Sequence, residues 1–98
     1  MLTFEKVLDV FADALDRDPL YEVIQTSHGY TLMGWEPMRE KWSHVERMAT
    51  PEKLRDALLN NFATLREEEI TGNERDLTDD EQAGISAECE KLKTLCET

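Results

Sequence analysis

Between Leu20 and Met48 the chain passes through three consecutive stretches suited to a pleated sheet: Leu20–Ser27, Tyr30–Glu36 and Lys41–Met48. A sheet that small must cover one face with helices, and amphipathic patterns flank it on both sides. The expectation is an α+β fold in the order α-β-β-β-α-α. A three-stranded antiparallel meander carries helices packed on one face, and residues 1–98 form a single domain. That length suffices to bury a modest core without metal or disulfide help.

The flanks carry their own signals. From Thr3 to Asp18, apolar Phe4, Val7, Leu8, Phe11 and Leu15 follow one helical stripe, and Asp18-Pro19 ends it. Thr50-Pro51-Glu52 is a helix start, with a capping threonine, proline at the first turn and an acid behind it. That helix runs to about Glu69, burying Leu54, Ala57, Leu58, Phe62 and Leu65, and Thr71-Gly72-Asn73 stops it. Thr78 and Glu81 form a capping box for a last helix, with Ile85, Cys89, Leu92 and Cys96 in register and Leu95 beside them.

Within the sheet, His28-Gly29 reads as a tight turn, glycine supplying the positive φ. Simple alternation sets Tyr30, Leu32 and Gly34 on one face of the second strand and Thr31, Met33 and Trp35 on the other. In the third strand it groups Trp42, His44, Glu46 and Met48 against Ser43, Val45 and Arg47. Both groups are mixed, as in an edge strand. Which sheet face the helices cover stays open at this point.

Eleven basic against 22 acidic side chains give a net charge of −11. Such a charge repels phosphate backbones, so a protein partner, and a basic one, is expected rather than nucleic acid. Residues 66–98 hold four basic and eleven acidic side chains, whereas Arg39, Lys41, Arg47, Lys53 and Arg55 gather near the third strand and the helix after it. No apolar run approaches the roughly 20 residues of a membrane span, and no signal peptide is recognisable, so a cytoplasmic protein is expected. Cys89 and Cys96, seven apart on a helix, lie about 10 Å from each other, too far for a disulfide.

Four residues, His28, His44, Cys89 and Cys96, are of metal-ligand type, but none has the close-pair spacing of a zinc site. No glycine-rich phosphate loop is present, and the acids around both cysteines disfavour a thiolate nucleophile. The expectation is therefore no metal, no cofactor and no enzyme. Binding residues are sought among the sheet aromatics Tyr30, Trp35 and Trp42, with Arg39, Lys41 and His44 beside them.

Two resemblances bear on this. The helix–strand–strand–strand–helix order over residues 3–70 resembles a double-stranded RNA-binding domain. That family presents basic residues where this chain has Thr50-Pro51-Glu52-Lys53 and His28-Gly29. The stretch Gly29-Tyr30-Thr31-Leu32-Met33-Gly34-Trp35 followed by Thr50-Pro51-Glu52-Lys53-Leu54-Arg55-Asp56-Ala57-Leu58 is similar to small acidic proteins of bacterial prophages and conjugative elements. That likeness implies a mobile-element origin and assigns no residue a role. Three functions remain in play: a protein-binding module, a DNA mimic that blocks a basic nucleic-acid-binding protein, and a small enzyme with an unrecognised site. A homodimer through the last helix is compatible with the first of these.

Overall fold

The computed structural model describes residues 1–98. Its elements are α1 (Phe4–Val10), α2 (Ala12–Arg17), β1 (Tyr21–Thr26), β2 (Gly29–Glu36), β3 (Lys41–Met48), α3 (Pro51–Thr71) and α4 (Asp79–Glu97). The strands form one antiparallel sheet in the order β1-β2-β3. The α+β class, the element order and the meander agree with the sequence reading.

Local chemistry places the helix ends. The Thr50 hydroxyl accepts the Lys53 N–H at 3.2 Å, with Pro51 opening α3. Gly72 closes α3 at φ 62°, its N–H donating to the Glu68 carbonyl at 2.8 Å. At the start of α4, Thr78 accepts the Glu81 N–H at 3.2 Å and the Glu81 carboxylate accepts the Thr78 N–H at 3.0 Å. Arg75 clamps the same carboxylate with two bonds of 2.8 Å. The Arg75 guanidinium, and then the Thr78 backbone N–H, lower the Glu81 carboxyl from 4.5 to about 2. A depressed carboxylate stabilises the fold above its ordinary pKa, and that contribution is lost as pH falls from 4.5 towards 2. Protection of the amides in the first turn of α4, taken relative to their intrinsic exchange rates at each pH, is therefore expected to fall across that window, and Glu81→Gln should remove the acid-dependent step.

The first helix departs from expectation. The single helix predicted over Thr3–Asp18 bends at Phe11, where φ is −94° and ψ 6°. The hydrogen-bond ladder survives on either side, with Phe11 N–H to the Val7 carbonyl at 3.0 Å and Leu15 N–H to the Phe11 carbonyl at 2.9 Å. No glycine or proline marks the bend. Phe11 is only 1% exposed, so tertiary packing of this ring accompanies the distortion.

Two further corrections concern the sheet. The hairpin loop is Ser27-His28 rather than His28-Gly29, since Thr26 faces Gly29 in the register. Neither loop residue has positive φ; Gly29 does, at 113°. A turn of ordinary hand is thus followed by a glycine that restores the strand twist. In β3 the alternation breaks. Leu32 faces Glu46 but Gly34 faces Ser43, so His44 and Val45 together oppose Met33 in a β-bulge. His44 takes φ 51°, a left-handed conformation usually left to glycine or asparagine. Met48 and Glu46 therefore share a face with Ser43, not with Trp42. Replacing His44 by glycine should relieve the strain and raise stability by about 0.5–1 kcal/mol net of glycine's entropy cost, readable as a higher denaturation midpoint.

The core is one cluster of Val7, Phe11, Leu32, Met48, Leu54, Leu58, Phe62 and Cys96. Tyr21 and Val23 from β1 and Phe4 from α1 pack around it. The helices thus cover the face carrying Val23, Leu32 and Met48. α3 and α4 run antiparallel, tied by Arg55–Glu97 at 3.2 Å and Arg66–Glu88 at 3.1 Å. The shortest dimension is 17 Å, enough for one sheet and one layer of helices, which stack about 10 Å apart.

Candidate interaction surface

The opposite sheet face has no helix on it. β1 contributes Ile24, β2 contributes Met33 and Trp35, and β3 contributes Trp42 and Val45. The bulge makes this set possible. Because His44 is an extra residue in β3, Trp42 sits across from Trp35 instead of beneath the helices with Met48. The two indoles pack edge to face, with centroids 5.1 Å apart and planes at 65°. Such pairs add about 0.5–1.5 kcal/mol beyond area burial. Trp42 and Ile24 are each 41% exposed and Val45 61%. The surface continues round the β2–β3 turn, where Pro37, Met38 and Arg39 form a shallow hollow against Trp35. Met38 there is almost fully exposed.

The predicted basic residues lie around the β2–β3 turn and the strand ends it joins, next to the tryptophan pair, with Lys41 on the strand parity opposite to Trp42. Arg39 Nε is 3.7 Å from Glu36 Oε2, and His44 Nε2 is 4.0 Å from Glu36 Oε1. Lys41 is the register partner of Glu36. Arg39 and His44 thus approach one half-buried carboxylate, while Lys41 makes no ion pair with it. Tyr30 does not join them. It lies on the covered face, its ring centroid 4.9 Å from that of Phe4. Ile24, Met33, Val45 and Met38 complete the surface without having been singled out. The apolar pair Val23-Ile24 was the available signal, since adjacent strand residues point to opposite faces.

Charge is unevenly shared. Residues 20–48 carry three basic and four acidic side chains, so the rest of the chain holds ten of the eleven net negative charges. The sheet segment as a whole is close to neutral, and its tryptophan pair, an aromatic residue type enriched in contact surfaces, sits at the end nearest the β2–β3 turn.

Other groups of chemical interest are dispersed. No three His, Cys, Asp or Glu side chains are placed to share a metal ion. Both cysteines are free thiols. Burial, then Glu88 and Glu90, pushes the Cys89 thiol pKa up, and burial is also the main cause that raises Cys96. A polar cleft between the Pro19 turn and α3 is lined by Arg17, Asp18, Asn61, Thr64, Glu68 and Glu69. Its cation is engaged internally, Arg17 donating to both Glu69 oxygens at 2.9 and 2.7 Å. The Thr64 hydroxyl donates to the Asn60 carbonyl. Asn61 Nδ2 is buried without a partner.

No helix is long and apolar enough to cross a membrane. Comparison with protein-family models, curated proteins and solved structures finds no match.

Proposed function

We propose that this chain is a non-enzymatic, cytoplasmic protein-binding module, of bacterial mobile-element origin, that holds a basic protein partner on its open sheet face. The observation that carries this reading is the Trp35–Trp42 pair, assembled by a bulge on the face that no helix covers. An exposed Trp42 against a half-buried Trp35, flanked by Met33, Met38 and Arg39, matches the residue types that dominate contact energies. The acidic helical layer adds long-range attraction for a basic partner, which acts on association rate more than on affinity. A homodimer through the last helix would have to use Leu95 and its neighbours, because Cys96 is buried and Cys89 and Leu92 pack inward.

The test is affinity capture from the source cell followed by purified binding. Trp42→Ala is expected to weaken the recombinant partner by about 30-fold or more, the threshold of a hot spot. An acid-to-alanine change on α3, such as Glu68→Ala, should leave the affinity nearly intact. Equal capture and equal affinity for Trp42→Ala and the parent would discard the sheet-face reading.

One observation favours the DNA-mimic alternative. Although Arg66 engages Glu69 and Arg75 engages Glu81, the side chains of Glu67, Glu68, Glu74, Asp76, Asp79 and Asp80 remain exposed and unpaired by any ion pair. A mimic's affinity for a basic nucleic-acid-binding protein falls steeply with salt and is insensitive to Trp42→Ala. The two readings therefore separate in one titration series.

A further inference from the structure

We propose that the free edge of β1 is a strand-addition site for an extended segment of another protein carrying alternating apolar and basic side chains. This site is separate from the tryptophan face.

The hydrogen-bond pattern identifies the free groups. Trp35 N–H donates to the Leu20 carbonyl at 2.6 Å, and the β1–β2 register runs without interruption from Tyr21↔Gly34 to Thr26↔Gly29. Bonded pairs alternate in an antiparallel ladder, so Leu20, Glu22, Ile24 and Thr26 bond inward to β2. The N–H and C=O groups of Tyr21, Val23 and Gln25 consequently point away from the sheet. None of the hydrogen bonds outside the regular elements engages them.

The two edges of the sheet are treated differently. β3 is guarded by its bulge, by positive φ at Glu40 and His44, and by Lys41, Glu46 and Arg47. These are the usual devices against unwanted pairing. β1 has only one, the charge of Glu22: its register is regular and it holds no proline or basic residue.

A receiving groove lies beside it. Ala12, Leu15 and Asp16 of α2 face Tyr21, Glu22 and Val23 across a shallow depression. An added strand would drop alternate side chains into this groove, against Leu15 and Ala12, while its main chain pairs with Tyr21, Val23 and Gln25. Asp16 and Glu22 are exposed on the walls and ask for lysine or arginine at the rim. The same acids argue against a second copy as occupant, because β1 against β1 brings Glu22 and Asp16 of both chains together.

The probe is an acetylated, amidated seven-residue peptide of alternating valine and lysine. Its saturation should slow amide exchange at Tyr21, Val23 and Gln25 at least tenfold. N-methylation of the peptide amides along one edge should abolish binding, whereas methylation along the other edge should spare it. The two methylated peptides carry equal charge, so simple attraction to an acidic protein cannot distinguish them. Val23→Pro removes an outward donor without touching a bond to β2 and should weaken the probe at least tenfold; Trp42→Ala should not. Near-UV circular dichroism of the indole pair reports whether Val23→Pro keeps its sheet, and Gln25→Pro serves as a second variant. Absence of saturable binding, equal binding of both methylated peptides, or unchanged exchange at the three amides overturns the proposal.

Discussion

Phe11→Ala is expected to lower stability by about 3–5 kcal/mol, measured as the loss in unfolding free energy in urea. The ring is 1% exposed and belongs to the single cluster in which α1, α3, α4 and the sheet meet. Its removal leaves a void lined by side chains from different elements. The helix is interrupted at this residue, where the ring is buried. Whole domains are stable by only about 5–15 kcal/mol, so such a loss leaves a measurable unfolded population at ordinary temperature. An alanine at Val45, 61% exposed on the open face, should cost less than about 0.5 kcal/mol and serves as the control.

Met48→Asp is expected to cost about 4 kcal/mol or more, by a different route. Met48 is 2% exposed and is the buried side chain through which β3 reaches the helical layer. An unpaired carboxylate there must either be desolvated or pull the strand away. The expected outcome is separation of the layers. The near-UV signal of Trp35 and Trp42 should collapse while α3 and α4, held to each other by Arg55–Glu97 and Arg66–Glu88, retain much of their far-UV signal. Loss of both signals together, at one denaturant concentration, would show instead that sheet and helices form a single cooperative unit. Raising the acidity of the medium should partly rescue the variant, because protonating the new carboxyl removes the buried charge.

What could be read from the chain divides by range. Thr50-Pro51-Glu52 and the Thr78–Glu81 box are legible because the residues that form each cap lie within one helical turn. Val7 and Phe11, and Leu54, Leu58 and Phe62, are legible as core because helical spacing brings them to one side. Three features are not local. The bend at Phe11 coincides with burial of its ring against other elements, which no local residue signals. The covered sheet face could not be chosen from β2, whose Leu32 and Met33 are both apolar; it is set by Val23 and Met48, which belong to other strands. The bulge is hidden because histidine, not glycine, occupies its left-handed position.

The interaction surface shows the same division in one place. Trp35 and Trp42 can be named from the sequence as contact residues, but their partnership cannot, because counting through β3 without the extra residue puts Trp42 beneath the helices. Tyr30 can be recognised as a sheet aromatic, yet only the fold reveals that Phe4 lies against it. Arg39, Lys41 and His44 are readable as neighbours in sequence; the approach of Arg39 and His44 to Glu36 depends on how the turn brings the strand ends together.

A slab 17 Å thick has little inside, and only 12 of its 98 residues are buried. Most positions therefore border water and should accept exchange with little penalty. In a saturation-substitution screen scored on folding alone, intolerance should concentrate at those few sites and at Gly29 and Gly72, leaving the outer aromatics free to drift. Were selection to act on binding as well, Trp35 and Trp42 would stand out as fixed points on an otherwise permissive surface.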